Sequence, residues 1–314
     1  MADLDYFKGK KVLITGGCGF IGSNIARELN RLGASVTVFD LEEKGLAPGI
    51  RFLAGDVSSQ GQLDKAMVGV DVVFHMAALL GVEKIANMPL EVMEINTGGT
   101  VKALTAARKA GVKRFVYTSS SEIYGEPYEI PLKEDDPPAP VSIYGISKLA
   151  GEAYCQGFYA RWGLPTIRIR YFNVYGPGQT ERFVMPIFIS RVVKNEAPVI
   201  YGNGEQSRSY TFVSDAVRGT LQAAACEKAV NNVFNIGNDE MVTLTELADY
   251  IIHLSGRDLK PVYKSFGDGI RVEKREILRR QPDTTRAREA FGFSITTPWK
   301  EGVKKFMDWY VNNQ

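Results

Sequence analysis

The chain has 314 residues, enough to bury one large core or two smaller ones. Its 45% hydrophobic and 24% charged content is ordinary for a globular protein, and a net charge of +2 from 38 basic and 36 acidic residues argues against a nucleic-acid or membrane-surface binder. No apolar run reaches the ~18 residues needed to span a bilayer, and three widely spaced cysteines (Cys18, Cys155, Cys226) with two histidines imply a reduced, cytoplasmic protein without a metal site.

The first eight residues carry acids and no apolar core, so no secretory signal is expected. Lys11–Thr15 reads as a buried strand and residues 21–32 as a helix. Further strands are expected over 35–39, 50–54, 71–75, 114–118 and 165–170, with long helices over 92–110 and Ile143–Trp162. Short apolar strands separated by helices predict an α/β fold, a doubly wound parallel sheet of the Rossmann type with ligands at the carboxyl ends of its strands. Residues 127–140 contain five prolines and are expected to form a loop. After Asn173 the alternation loosens, and residues 232–236 look like one more strand of the sheet. The expected division is a dinucleotide-binding domain over 1–172, with a returning strand near 232–237, and a smaller, partly discontinuous domain over 173–314.

Gly16-Gly-Cys-Gly-Phe-Ile-Gly22 follows the first strand and opens the first helix. Glycines there let backbone N–H groups approach a pyrophosphate, whose charge the helix N-terminus favours. Gly16, Gly19, Phe20, Ile21 and Gly22 are therefore expected to form the cofactor loop, with Cys18 and Phe20 packing within it. Asp40, ending the second strand, suits the adenosine ribose hydroxyls and would repel a 2′-phosphate, which favours NAD. Asp56 and Val57 end the third strand and could meet the adenine; a turn aspartate is the other reading of Asp56.

Tyr144 and Lys148 are one helical turn apart, on one helix face. An ammonium beside a phenol favours the phenolate, so the pair predicts a proton acceptor usable near neutral pH.

Thr15 to Gly22, Asp40, Asp56-Val57, His75-Met-Ala-Ala78, Asn96-Thr-Gly-Gly-Thr100, Ser119 to Gly125 and Tyr144-x-x-x-Lys148 occur in this order, followed by Arg170-Tyr-Phe-Asn173 and Arg208 to Asp215. Together they resemble the extended short-chain dehydrogenase/reductases, and more narrowly the nucleotide-sugar epimerase/dehydratase family typified by UDP-glucose 4-epimerase. The resemblance implies NAD as cofactor, a nucleotide sugar as substrate and a homodimer built through the two long helices. It implies that Ala77, Ala78 and Asn96 line the cofactor and that Lys148 binds the nicotinamide ribose. Ser120 matches the catalytic Ser/Thr, Asn173 and Arg208 match contacts to the substrate diphosphate, and Tyr201 matches an aromatic beside the nucleobase or packs in the core. His75 and Tyr124 are read as packing residues. The implied reaction starts with Tyr144 taking the proton of the sugar 4-hydroxyl while C4 is oxidised, and ends in 4-epimerisation of a UDP-hexose.

Glu122 departs from that pattern. Dehydratases and UDP-glucuronate decarboxylases of the family carry Glu at the matching position, where it could remove the C5 proton. A salt bridge to an arginine at the strand end is the structural alternative. Epimerisation is the leading expectation, with 4,6-dehydration or decarboxylation through Glu122 as the alternative and a non-catalytic NAD-binding sensor as a minor one.

Overall fold

The computed structural model describes residues 3–81, 87–127, 129–265 and 277–313. In chain order come β1 (Lys11–Thr15), α1 (Phe20–Arg31), β2 (Ser35–Asp40), β3 (Arg51–Ala54), α2 (Gln60–Ala66), β4 (Val72–His75), α3 (Pro89–Met93), α4 (Gly99–Ala110), β5 (Arg114–Ser120), α5 (Ile143–Trp162) and β6 (Thr166–Tyr171). Then follow β7 (Val174–Tyr175), α6 (Val184–Val193), β8 (Val199–Tyr201), β9 (Ser207–Ser209), β10 (Thr211–Phe212), α7 (Val213–Ala225), β11 (Val233–Ile236), β12 (Met241–Thr243) and α8 (Leu244–Ser255). The last elements are β13 (Val262–Lys264), β14 (Arg279–Arg280), α9 (Thr285–Phe291) and α10 (Trp299–Asn312).

Seven strands form one parallel sheet in the order β11-β6-β5-β4-β1-β2-β3. Their near-continuous apolar runs are what a sheet covered on both faces requires. One face packs Val12, Ile14 and Phe74 against Ile25 and Leu29 of α1, Leu221 of α7 and Phe291 of α9. The other packs Leu13, Val73 and Phe115 against Leu63 of α2, Leu104 of α4 and Phe158 of α5. Strand order reverses between β1 and β4, which opens a crevice above their carboxyl ends. Val233–Ile236 is the returning strand, parallel to β6 at the sheet edge. A separate apolar core gathers Phe188, Ile251, Trp299 and Phe306 from α6, α8 and α10. Among the described residues, no helix is long and apolar enough to cross a membrane.

Two local departures from the sequence reading have physical causes. The helix expected over 92–110 is interrupted by a π turn, Glu94–Gly98, that inserts one residue and turns Asn96 inward to 2% exposure. Gln60–Ala66 was not expected, because two turns are too short to carry a periodic signal.

The proline-rich segment forms no helix or regular strand among its described residues, yet it is tied down. Leu132 exchanges main-chain hydrogen bonds of 2.7 Å with Gln281 and Asp283, and Glu134 Oε1 accepts from Asn235 N at 2.9 Å. Arg170 pairs with Glu152 through Nε–Oε1 at 2.9 Å and Nη2–Oε2 at 2.7 Å. The same guanidinium donates to the Tyr124 hydroxyl and the Glu134 carbonyl, so α5, β6 and the segment are joined by one buried cation.

Candidate active site

The glycine loop leaves β1 at Gly16, whose φ of +68° suits glycine. A Cβ there would lie 2.6 Å from the Ala77 backbone, so loop and β4 end approach as only a glycine allows. Gly19 is the N-cap of α1, and a Cβ on Gly22 would lie 2.5 Å from the Gly16 carbonyl oxygen. The first-turn N–H groups of α1 at Phe20, Ile21 and Gly22 therefore face the crevice floor, where an anion is favoured. Cys18 and Phe20 pack at the margin of the core. Asp40 accepts from Cys18 N at 3.0 Å and from Leu41 N at 2.8 Å, which holds its carboxylate beside the loop. Ala77 and Ala78 follow β4, half-buried. This cradle, with its acid at the end of β2, fits a dinucleotide.

Asp56 is exposed, and its Oδ1 accepts from Ser58 N at 2.8 Å. The turn role is thus visible; Val57 beside it is buried. Asn96 spends both ends of its amide on the protein. Its Oδ1 accepts from Leu79 N at 2.7 Å, and its Nδ2 donates to Leu79 O at 3.1 Å and Ser147 Oγ at 3.0 Å. Asn96 thus clamps the chain after Ala78 to the helix of Tyr144. His75 is also inward, with Thr15 and Thr100 hydroxyls 2.7 and 3.1 Å from its ring nitrogens. Burial, aided by the Lys148 charge, lowers its pKa to about 3, so the ring is neutral.

Ser142 caps α5 by accepting from Gly145 N at 2.9 Å, which sets the first turn that carries Tyr144. Tyr144 and Lys148 share one face, but their electrostatics differ from the sequence expectation. Lys148 Nζ donates to the Thr118 carbonyl at 2.7 Å and stands over the faces of the Tyr117 and Tyr144 rings, 5.2 and 5.7 Å from their centres. Burial raises the Tyr144 phenol above its ordinary value, the Glu122 carboxylate adds to the rise, and a hydrogen bond with Ser120 opposes it. Burial also pulls Lys148 down to about 8. The lysine meets the ring rather than the hydroxyl, so desolvation outweighs its attraction for a phenolate.

Ser120 ends β5, and its Oγ accepts from Glu122 N at 3.2 Å in the 3-10 turn Ser121–Tyr124. Among the described residues Glu122 has no arginine partner in a salt bridge; its Oε2 accepts from Ser142 Oγ at 2.7 Å. One arginine near the turn, Arg280, is 7% exposed and donates to the neighbouring Ser121 Oγ at 3.3 Å. Tyr124 packs, with its hydroxyl donating to Asn235 Oδ1 at 2.8 Å. Ser142, Ser147 and Arg280 escaped the sequence reading, because a serine or a C-terminal arginine carries no pattern until the chain brings it to a partner.

Asn173 follows β6 with φ of +36°, and its Nδ2 donates to the Ser209 carbonyl at 3.2 Å. Arg208 lies beside Arg280 in the parallel register of β9 and β14, and its Nη1 donates to the Ser207 carbonyl at 2.9 Å. Tyr201 ends β8, half-buried.

Comparison with known proteins gives the same family. The model of the NAD dependent epimerase/dehydratase family matches residues 12–237. A UDP-N-acetyl-alpha-D-glucosaminuronate decarboxylase of Bacillus cytotoxicus is 36% identical over 96% of this chain and 98% of its own length. The UDP-glucose 4-epimerase of Thermotoga maritima, solved with UDP-glucose, superposes with a TM-score of 0.90 at 32% identity, covering 96% of this chain and 99% of that one. A dTDP-glucose 4,6-dehydratase of Streptomyces venezuelae, solved with NAD, gives 0.87 at 26% identity over 96% and 97%. The chain belongs to the NAD-dependent epimerase/dehydratase family of enzymes.

Proposed function

We propose that the protein is a nucleotide-sugar 4-epimerase acting on a UDP-hexose through a transient 4-keto sugar. The observation that supports the first step, oxidation at C4, is that the end of β5 brings Ser120 beside the Tyr144–Lys148 face of α5; likeness to a UDP-glucose 4-epimerase favours epimerisation as its outcome. The chemistry supplied by NAD, when bound, is reversible oxidation of the sugar at C4. Gly16, Gly19, Phe20, Ile21, Gly22, Asp40, Ala77 and Ala78 would hold it, and Val57 would border the adenine. In its ionised form, which a cationic nicotinamide beside it would favour against burial, Tyr144 takes the proton of the 4-hydroxyl and returns it, with the Ser120 hydroxyl bonded to the same oxygen. Lys148 orients the nicotinamide ribose. Asn173 and Arg208 bind the diphosphate and Tyr201 flanks the base, so residues 173–314 contribute most of the substrate site. For epimerisation the keto sugar turns over before it is reduced on its other face.

A second reading, decarboxylation of a UDP-uronate, is favoured by the buried Arg280 beside Ser121 and Glu122, and by the decarboxylase relative. A guanidinium there complements a carboxylate on C6. Incubation with UDP-, GDP- and dTDP-hexoses and UDP-uronates, followed by product mass, separates the readings. Unchanged mass with inverted C4 is the expected result. Loss of water or of carbon dioxide overturns the first reading, and loss of carbon dioxide establishes the second.

The proposal extends to a cytoplasmic homodimer. Support for the dimer comes from Ile146, Tyr154 and Trp162 on α5, which are 41%, 43% and 45% exposed. Support for the compartment comes from three free cysteines.

A further inference from the structure

One hydroxyl joins the two halves of the catalytic set. Ser142 Oγ donates to Glu122 Oε2 at 2.7 Å and accepts from Gly145 N at 2.9 Å. It therefore caps the helix of Tyr144 and Lys148, and also holds the carboxylate of the turn that follows Ser120. A cap alone needs only an acceptor, which aspartate supplies as well as serine. Holding a carboxylate needs a donor, and among capping residues a hydroxyl is donor and acceptor at once.

The tie bears on Tyr144 from two sides. Glu122 N donates to Ser120 Oγ, and both the Glu122 charge and the Ser120 hydroxyl act on the Tyr144 phenol. Tyr144 stands in the first turn of the helix that Ser142 caps. The turn packs closely on α5: a Cβ on Gly145 would lie 2.8 Å from the Glu122 carbonyl oxygen. This contact resists movement of the turn towards α5, and the Ser142–Glu122 bond opposes movement away from it.

We infer that Ser142 is a positioning residue of the catalytic turn, which it holds at a set distance from the Tyr144 phenol by tying Glu122 to the N-terminus of α5. Its kinetic consequence rests on the proposed oxidation at C4, since the residue touches no reacting atom. Displacing Ser120 by a fraction of an ångström weakens its bond to the reacting oxygen in the transition state while leaving the bound nucleotide in place.

The test is a double-mutant cycle on the full chain with bound NAD. Ser142→Ala is expected to lower kcat about tenfold with KM for the nucleotide sugar within about twofold, and Ser142→Thr to recover activity to within about threefold. Ser142→Asp keeps the cap acceptor, removes the donor and sets a second carboxylate against Glu122, so it should unfold below the wild-type temperature and turn over at least as slowly as Ser142→Ala. With Glu122→Ala in place, Ser142→Ala should have no further effect on kcat. Equal losses in both backgrounds, or a Ser142→Asp variant with wild-type kcat, would reduce Ser142 to a helix cap and overturn the inference. If the wild-type protein turns over no nucleotide sugar, it is the C4 reading that fails. The tie is then read from unfolding temperatures: a smaller loss from Ser142→Ala in the Glu122→Ala background supports it, and additive losses overturn it.

Discussion

The Lys148 ammonium donates to the Thr118 carbonyl at 2.7 Å, so a buried cation is fastened to the end of β5 beneath Tyr144. Its position over two aromatic faces leaves desolvation as the main influence on it, and its pKa falls to about 8.

A buried lysine with a depressed pKa costs stability. The unfolded chain holds this proton up to about pH 10.4, the folded chain only up to about 8, so the penalty is full below about 8 and fades as pH rises towards 10. Lys148→Met should remove about 3 kcal/mol of that penalty and forfeit about 1 kcal/mol of hydrogen bonding, a net gain of about 2 kcal/mol at pH 7. Turnover should fall about 10³-fold in the same variant. Urea unfolding alongside a turnover assay checks both; a less stable variant would contradict the burial argument.

Tyr144→Phe removes the proton acceptor and little else, because the ring packing is kept. The expected loss in kcat is about 10³-fold. NAD affinity by calorimetry should stay within about threefold of wild type, since the glycine loop and Asp40 carry that binding. Retained turnover would remove Tyr144 from the chemistry.

The Glu122 charge raises the Tyr144 phenol. Activity that needs the phenolate climbs as pH passes the Tyr144 pKa. Glu122→Gln removes the charge, lowers that pKa and moves the rising limb of kcat/KM to lower pH. A limb that stays in place or moves upward would show that the two groups are not coupled.

Gly22→Ala places a methyl 2.5 Å from the Gly16 carbonyl and 2.9 Å from Gly17 Cα, and both obstacles are backbone. Overpacking of this kind costs about 1–3 kcal/mol. It also spreads the loop, so NAD affinity should fall more than tenfold, roughly 1.4 kcal/mol or more. Calorimetric titration of the folded variant with NAD measures the loss.

Much of the fold was legible in the residues. The spans expected at Lys11–Thr15 and Ile143–Trp162 are those observed, and the other sheet strands differ only at their ends. Long apolar runs and capped helices are local signals. The π turn at Glu94–Gly98 was not legible, because its cause is Asn96 reaching Leu79 and Ser147, partners supplied by other elements. Asp56 was read two ways, and only the Ser58 N–H beside its carboxylate shows the turn.

The sequence by itself determined the alternation of strands and helices, the glycine loop that opens α1, and the placing of Tyr144 and Lys148 on one helix face. All of these follow from side-chain volume, backbone sterics and spacing within a few residues. The tertiary structure alone decided that Tyr144 is raised rather than lowered, that Glu122 is held by Ser142, and that Arg280 meets Ser121 across 159 positions of chain. Ionisation depends on how much water burial removes, and a hydrogen bond depends on which distant atoms the fold brings within 3 Å or so; neither quantity is carried by the neighbours of a residue in sequence.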